Sequence, residues 1–231
     1  MSDTLLVIET ATQMCSAALV AAGRVYSRSE QGNNIHSQRL LPMVDTLLTE
    51  ADVTANDLDA VAVGQGPGSF TGLRIGVGVG QGLAYAAGCP MIGIASLSAL
   101  AMQVKQSQLN ADVAIVGVDA RMGEVYYARY DLTSALPSVI DEVQVLAPEQ
   151  IIPLVGGGVL AGNAWAEYQE QLPKELAELA LPHQECVLPR AEAMLPMALD
   201  ALEQGNTVDP SRFEPDYVRN NVANVKGGNL G

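Results

Sequence analysis

The sequence from residue 64 to residue 82 reads Gly64-Gln-Gly-Pro-Gly-Ser-Phe-Thr-Gly-Leu-Arg-Ile-Gly-Val-Gly-Val-Gly-Gln-Gly82 and holds eight of the 22 glycines of the chain. Its first part, Gly64 to Ser69, is too rich in glycine and proline for regular structure and predicts a loop. Its second part has the apolar spacing of a helix that runs from Thr71 to about Ala87. This arrangement is typical of anion sites, because the N–H groups of a first helical turn have no partner inside the helix.

Three glycines, Gly72, Gly76 and Gly80, lie four residues apart and therefore share one face of the predicted helix. Each lowers helix stability by about 1 kcal/mol relative to alanine, so we expect a compensating gain. Close approach of another backbone is such a gain, as in helix pairs with small residues at every fourth position. The segment therefore has two interpretations: a backbone cradle for an anion, or a bare surface for another helix.

Strands and helices alternate on both sides of this segment, which is typical of an α/β fold with mixed sheets. In the first half we predict strands at 4–9, 15–20, 24–29, 59–63 and 91–94, and helices at 36–50, 71–87 and 96–106. The pattern then restarts, with predicted strands at 113–119, 124–130, 139–146 and 159–161 and a helix at 188–203. This weak duplication predicts two lobes, residues 1–108 and 109–231, divided where the polar stretch Ser107–Ala111 interrupts the periodicity.

The composition predicts a globular protein with an acidic surface. The 231 residues are 48% hydrophobic, and the formal net charge is −14 at pH 7. This charge argues against a chain that grips a nucleic-acid backbone by itself. Cys15, Cys89 and Cys186 have no spacing that indicates a zinc site or a disulfide framework. The N-terminus lacks a signal-peptide pattern and the glycine helix is too polar to span a membrane, so we expect a cytoplasmic protein.

Two turns that begin with an acidic residue are candidates for phosphate contact. Glu9-Thr-Ala-Thr12 follows the first predicted strand and is either a phosphate-binding turn or a polar hairpin. Asp119-Ala-Arg-Met-Gly123 holds the corresponding place in the second half, where Asp119 and Arg121 form either an anion contact or a turn salt bridge.

The loop Gly66-Pro-Gly-Ser69 matches none of the common catalytic loops. No Gly-Lys-Ser/Thr of a Walker loop follows it, and it lacks the context of a dinucleotide fingerprint. Pro67 stands where a nucleophile elbow requires glycine. We therefore interpret Ser69 or Thr71 as a helix N-cap.

The two histidines are too far apart to predict a metal site or a Ser-His-acid triad. His36 begins a helix with a broad apolar surface, and His183 lies in a predicted loop. His36 is either a ligand or base, or a residue of the helix start or of an interface. The apolar surfaces of this helix and of the glycine helix pack either within the chain or against another subunit.

Four segments together resemble the bacterial TsaB (YeaZ) family. They are Ile8-Glu-Thr-Ala-Thr, Gly66-Pro-Gly-Ser-Phe-Thr-Gly-Leu-Arg-Ile-Gly, Asp119-Ala-Arg-Met-Gly-Glu-Val-Tyr and Pro215-Asp-Tyr-Val-Arg-Asn. The resemblance spans nearly the whole chain. It implies the duplicated actin/sugar-kinase/Hsp70-type (ASKHA, ribonuclease H-like) fold. It also implies a role in making threonylcarbamoyladenosine (t6A) in certain tRNAs.

The resemblance further implies a chain without catalytic metal or cofactor. The catalytic paralogue TsaD carries two metal-binding histidines four residues apart, where this chain has Ser96 and Leu100. The first-strand acid of the family is usually Asp, whereas this chain has Glu9. Gly156-Gly-Gly158 is either an adenosine-loop relic or a plain turn.

The implied partners are TsaD, the ATP-binding protein TsaE, and a second copy when the chain is alone, with tRNA held only through the complex. The expected interface comprises His36, Arg39, Leu40, Met43, Val44, Leu47, Gly72, Arg74, Ile75, Gly76 and Val79. The main alternative is a small ATPase or phosphotransferase of the same fold. Its nucleotide site would comprise Glu9, Thr10, Gly66, Gly68, Ser69 and Asp119. A peptidase is a remote third hypothesis, because no nucleophile with a base in reach is evident.

Overall fold

A computed structural model describes residues 4–107, 109, 111–153 and 158–218 of the chain. Its first half forms a five-stranded mixed sheet in the order β3-β2-β1-β4-β5, flanked by three helices. The strands are β1 (Leu5–Glu9), β2 (Met14–Ala21), β3 (Arg24–Gln31), β4 (Ala60–Gly66) and β5 (Met91–Ala95). The helices are α1 (His36–Ala51), α2 (Phe70–Ala87) and α3 (Ser96–Gln106).

The centre of this sheet is covered on both faces, which explains why β1 and β4 are almost continuously apolar. Alternate residues of β1 point to opposite sides. Leu6 and Ile8 pack with α1 and α2, whereas Leu5 and Val7 pack with α3 and with the last helix of the chain.

The second half repeats this arrangement in a sheet with the order β10-β6-β7-β8, in which β9 also pairs with β7. Its antiparallel pair β6–β7 and parallel pair β6–β10 correspond to β1–β2 and β1–β4 of the first sheet. The predicted duplication of an ASKHA-like fold is therefore confirmed. The elements are β6 (Val113–Arg121), β7 (Glu124–Asp131), β8 (Ser138–Val139), β9 (Gln144–Leu146), β10 (Val159–Ala161), α4 (Ala164–Glu167), α5 (Lys174–Ala177) and α6 (Ala191–Glu203).

Most predicted elements lie within one or two residues of the observed ones, and three differ by more. Strand β4 continues to Gly66, so the first three residues of the predicted loop Gly64 to Ser69 belong to the strand. The single strand predicted over 139–146 is wrong, because the charged pair Asp141-Glu142 separates β8 from β9 and the Asp141 carboxylate turns to Arg129. The last helix begins at Ala191 and not at Leu188, since Pro189 and Arg190 remain outside it. Helix α1 runs through Pro42 without a new start.

The C-terminal part of the chain returns to the first sheet. Met194, Leu195 and Ala198 of α6 pack on β1, β4 and β5, and Phe213 is buried in the core beneath α1 and α2. The division at residues 108 and 109 stays a prediction, because residue 108 lies outside the described part of the chain. That prediction did not anticipate that residues 191–213 complete the first lobe.

Candidate functional site

The glycine loop lies directly against the turn between β1 and β2. The N–H of Ser69 donates to the carbonyl oxygen of Ala11 at 2.6 Å, and a Cβ on Gly68 would lie 2.4 Å from that oxygen. The Ser69 hydroxyl accepts the N–H of Gly72 at 3.3 Å, which confirms the predicted N-cap. Two of the backbone N–H groups at this helix start, those of Ser69 and Gly72, are thus engaged inside the chain.

The face of α2 that carries Gly72, Gly76 and Gly80 packs against the chain's own sheet. Added Cβ atoms on Gly72 and Gly76 would lie 2.1 Å from the carbonyl oxygen and 2.3 Å from the Oγ1 of Thr10, respectively. On Gly80, a Cβ would lie 2.6 Å from Val63 Cγ2. The interpretation of this face as a bare surface for a partner helix is therefore wrong, since the close backbone approach is internal.

Thr10, a predicted nucleotide contact, is part of this internal packing. Its hydroxyl donates to the carbonyl oxygen of Gly72 at 2.9 Å, and its side chain is fully buried. Gly66, also predicted there, has a φ of +114°, and a Cβ on it would lie 2.8 Å from the carbonyl oxygen of Asp216. Both residues are buried and position the neighbouring loop, and neither is exposed to a ligand.

Glu9 is fully buried beneath the end of β4. Its carboxylate accepts the N–H of Ala11 at 2.5 Å and the hydroxyl of Ser96 at 2.7 Å. Burial raises the pKa of Glu9 to about 7, against the lowering effect of these hydrogen bonds. A Cβ on Gly64 would lie 2.2 Å from a Glu9 oxygen. Glycine at this position therefore leaves space for the glutamate side chain, which is one methylene longer than aspartate. Glu9 is thus bonded to Ser96, which stands where the resemblance places a metal-binding histidine.

Asp119 is occupied at the matching turn of the second lobe. One carboxylate oxygen accepts the N–H of Arg121 at 2.8 Å and the hydroxyl of Tyr168 at 2.7 Å. The other oxygen lies 3.1 Å from the Arg121 guanidinium. Burial and then the Asp119 carboxylate raise the pKa of Tyr168 to about 12. The predicted turn salt bridge is confirmed.

A cleft of about 900 Å³ separates the two lobes at these turns. Its walls are the β1–β2 turn, the starts of α1 and α2, the β6–β7 turn and residues 216–218. Gly68, Ser69 and Asp119 line it, whereas Glu9 and Thr10 lie behind its wall. The structure therefore does not bring the predicted nucleotide-binding residues together on one open surface.

No metal or triad chemistry is evident in this cleft. Among the described residues, no group of three or more His, Cys, Asp or Glu side chains is arranged to hold a metal ion. Nor, within the same part of the chain, is either histidine side chain hydrogen-bonded to a hydroxyl or thiol. His36 lines the cleft, and its Nε2 atom is buried without a partner. Gly156 and Gly157 of the predicted adenosine-loop relic lie outside the described residues.

The predicted interface residues divide into two groups. Five residues of α1 and two of α2 are buried by the chain itself, namely His36, Leu40, Met43, Val44, Leu47, Gly72 and Gly76. Arg39 and Arg74 are exposed, and Ile75 and Val79 are half-buried. Whether any of them contacts a partner stays a prediction, but the members of the buried group have little surface outside the interlobe cleft, which His36 and Gly72 line.

The predicted interface includes Ile75 and Val79 on the outward side of α2 but omits Gly78, Gly82 and Tyr85 of the same side. Gly78 and Gly82 are exposed, with no atom within 4 Å of an added Cβ, and Tyr85 is 81% exposed one turn further. Leu41 of the neighbouring helix α1 is 53% exposed. Gly78 and Gly82 are four residues apart and form a second row of small residues on α2. This spacing is visible in the sequence, but the row of Gly72, Gly76 and Gly80 is longer and more conspicuous.

Comparison with known proteins identifies relatives over nearly the whole length. Residues 29–227 match the family model of TsaD, described as tRNA N6-adenosine threonylcarbamoyltransferase. The tRNA threonylcarbamoyladenosine biosynthesis protein TsaB of Escherichia coli strain K12 is 40% identical, with 95% of this chain and 96% of that protein covered. TsaB of Haemophilus influenzae is 36% identical, with 95% and 94% covered.

A solved structure agrees with these relatives. YeaZ from Pseudomonas aeruginosa superposes with a TM-score of 0.84 at 38% identity, with 93% of this chain and 99% of that chain covered. Within the described residues, no helix has the length and apolar character needed to cross a membrane. The family model, the curated relatives and this structure agree, and the chain belongs to the TsaB (YeaZ) family of tRNA threonylcarbamoyladenosine biosynthesis proteins.

Proposed function

We propose that this chain is a non-catalytic subunit of the complex that makes t6A in tRNA. The observation that carries this proposal is the internal use of the groups predicted to contact a nucleotide. The Glu9 carboxylate, the Thr10 hydroxyl and the Ser69 N–H all form hydrogen bonds within the chain. Glu9 and Thr10 are also fully buried, so neither can contact a substrate without breaking the packing around it.

The proposed partner in this role is the catalytic subunit TsaD. The relatives named TsaB belong to t6A biosynthesis, and the family model that matches this chain is that of TsaD. Two chains of one fold have equivalent helix pairs, which pack on each other as a four-helix bundle. We expect the isolated chain to use the same surface for a homodimer.

We assign the docking to an outward helix face, defined as Leu41, Ile75, Gly78, Val79, Gly82 and Tyr85. Helices α1 and α2 are neighbours, and these residues lie on their solvent side. The small residues allow a partner helix to approach closely, while the apolar residues beside them lose water on contact. Arg74 lies beside this face, one turn before Gly78 on α2. Arg39 lies on the other side of α1, where it pairs with Glu30 of β3.

The assembled complex would divide the remaining tasks among its members. TsaE joins the TsaB–TsaD pair, and tRNA is held through the partners, because a chain with a net charge of −14 repels a phosphate backbone. This location in the complex places the chain in the cytoplasm. The alternative of a small ATPase requires binding of ATP with Mg²⁺ to the isolated chain, which calorimetry would detect.

The decisive variant is Gly78→Leu. Leucine at this exposed helical position has a better helix propensity than glycine, so the fold persists, while its side chain occupies the space of a partner helix. We expect co-elution with purified TsaD on size-exclusion chromatography to be lost, and t6A formation by the TsaB–TsaD–TsaE mixture to fall with it.

The matched control is Ala166→Leu, an equally exposed substitution on α4 in the second lobe. This variant should co-elute with TsaD as the wild type does. Native co-elution of the Gly78→Leu variant would remove the outward helix face from the interface. Modification of tRNA by this chain alone, given threonylcarbamoyl-adenylate, would contradict the non-catalytic role.

A further inference from the structure

The mouth of the interlobe cleft exposes an unusual group of side chains. We define this cleft mouth as Phe70, Arg74 and Tyr217 on the first lobe and Arg121 on the second. Phe70 is 62% exposed and Tyr217 is 36% exposed. Aromatic residues and arginine are enriched in protein interfaces, and tyrosine and arginine are among the types that contribute most binding energy there.

The charge of Arg74 is not neutralised by any residue in the described part of the chain. Its guanidinium carbon lies 3.2 Å from the ring centre of Phe70 and 5.4 Å from that of Tyr217. Among the residues that the structure describes, no carboxylate forms an ion pair with it, although the chain has 26 acidic and 12 basic residues. The stacked rings fix the direction of the guanidinium, and its charge remains available to a carboxylate from outside.

The other charged side chains that line the cleft are those of Arg121, Asp119 and Asp216. Arg121 is already paired with Asp119, whose second contact is the Tyr168 hydroxyl. Asp216 is the second carboxylate that lines the cleft. Of the two arginines at the cleft mouth, Arg74 is therefore the one available to pair with a carboxylate of a partner.

The cleft mouth is continuous with the outward helix face. Helix α2 begins at Phe70, and its exposed residues Arg74, Gly78 and Gly82 follow one another at intervals of four. The start of α1 lines the same cleft through His36 and Ser37. A partner seated on the two helices therefore extends over the cleft at their N-terminal ends.

We propose that the partner docked on the outward helix face inserts an acidic, apolar segment into the cleft mouth. A carboxylate of that segment pairs with Arg74, and an apolar side chain next to it packs on the rings of Phe70 and Tyr217. The cleft of about 900 Å³ has room for a few residues of such a segment. This inference rests on the proposed function, since it assumes that TsaD is the partner.

The test compares Arg74→Gln and Phe70→Ser with the wild type in calorimetric titrations against purified TsaD at 50 and 300 mM NaCl, concentrations chosen to span about a two-fold change in Debye length. We expect each variant to weaken binding about 10-fold or more, and Arg74→Gln to reduce the salt dependence of the affinity as well. Arg24→Gln, an exposed arginine on edge strand β3, is the matched control and should change neither.

The outcomes separate this inference from the proposed function. If Gly78→Leu abolishes binding while Arg74→Gln and Phe70→Ser bind as the wild type, the helix face stands and the inserted segment is refuted. If none of the three variants weakens binding, both proposals fail. If Arg74→Gln changes only the self-association of the isolated chain, measured by light scattering, the occupant is a second copy and the inference is overturned.

Discussion

At the scale of single residues, Glu9 shows how the folded surroundings decide the role of a candidate site residue. Its place at the end of β1 was predictable, because a buried apolar strand followed by an acid is visible in the sequence. Its surroundings were not, since Gly64 and Ser96 come from distant parts of the chain and meet Glu9 only in the folded sheet. The acid that the sequence suggested for phosphate contact is a buried hydrogen-bond acceptor.

The raised pKa of Glu9 predicts a specific dependence of stability on pH. The pKa is about 7 in the folded chain against an ordinary value of 4.5 for a glutamate carboxyl, so the folded state binds the proton more tightly. This contribution is fully present below pH 4.5 and is lost as the pH rises through about 7. Glu9→Gln lacks the ionisation and should gain stability relative to the wild type between pH 5 and 8, by up to about 3 kcal/mol.

The measurement is urea unfolding of both proteins across that pH range. Asp57→Asn serves as the control, since its carboxylate is exposed and its pKa is lowered by the hydrogen bonds of Thr54. A free-energy difference between Glu9→Gln and wild type that does not change from pH 5 to pH 8 would show that Glu9 is not protonated in the folded chain.

At the scale of elements, α2 has two rows of small residues that point in different directions. The bounds of the helix and its N-cap were predictable from spacing and from Ser69. The orientation was not, because periodicity tells which residues share a face and not what covers that face. Gly72 and Gly76 lie against Thr10 and therefore face the sheet, whereas Gly78 and Gly82 face solvent.

This difference predicts opposite effects for one substitution at two positions. Gly76→Ala places a methyl group 2.3 Å from the Thr10 hydroxyl, and we expect a loss of about 1–3 kcal/mol from overpacking. Gly78→Ala meets no atom within 4 Å, so the higher helix propensity of alanine should stabilise the chain by up to about 1 kcal/mol.

Thermal and urea unfolding of both variants measure the two effects. Because both changes add one methyl group to the same helix, differences in composition cannot explain a difference in sign. Equal stabilisation by both substitutions would mean that the Gly76 face does not pack against Thr10.

At the scale of the whole molecule, the two sheets were predictable from the repeated strand pattern, but the path of the C-terminal part was not. Its apolar residues indicate burial without indicating which lobe buries them. Met194 and Ala198 cover the first sheet, and Phe213 enters the core under α1 and α2. Gln81 strengthens the attachment by donating to the carbonyl oxygens of Pro210 and Phe213 at 2.8 and 3.1 Å.

The first lobe should therefore not fold from its own residues alone. We expect a fragment of residues 1–108 to expose the apolar face of β1 and β5 and to aggregate, as judged by light scattering and by dye binding to apolar surface. The same fragment joined through a flexible linker to residues 186–218 should be monodisperse and unfold cooperatively. Cooperative unfolding of residues 1–108 alone would show that α6 is dispensable.

Because the C-terminal part packs on the first sheet, the first lobe is completed only late in synthesis. The five strands of the first sheet leave the ribosome early, but the helix that covers one face of that sheet begins only at residue 191. At about 5–20 residues per second, the intervening 95 residues take on the order of 5–20 s to appear. During that interval α3 covers only part of this face of the sheet, and the apolar surface that α6 later covers is exposed. A chaperone would protect the nascent chain most at this stage.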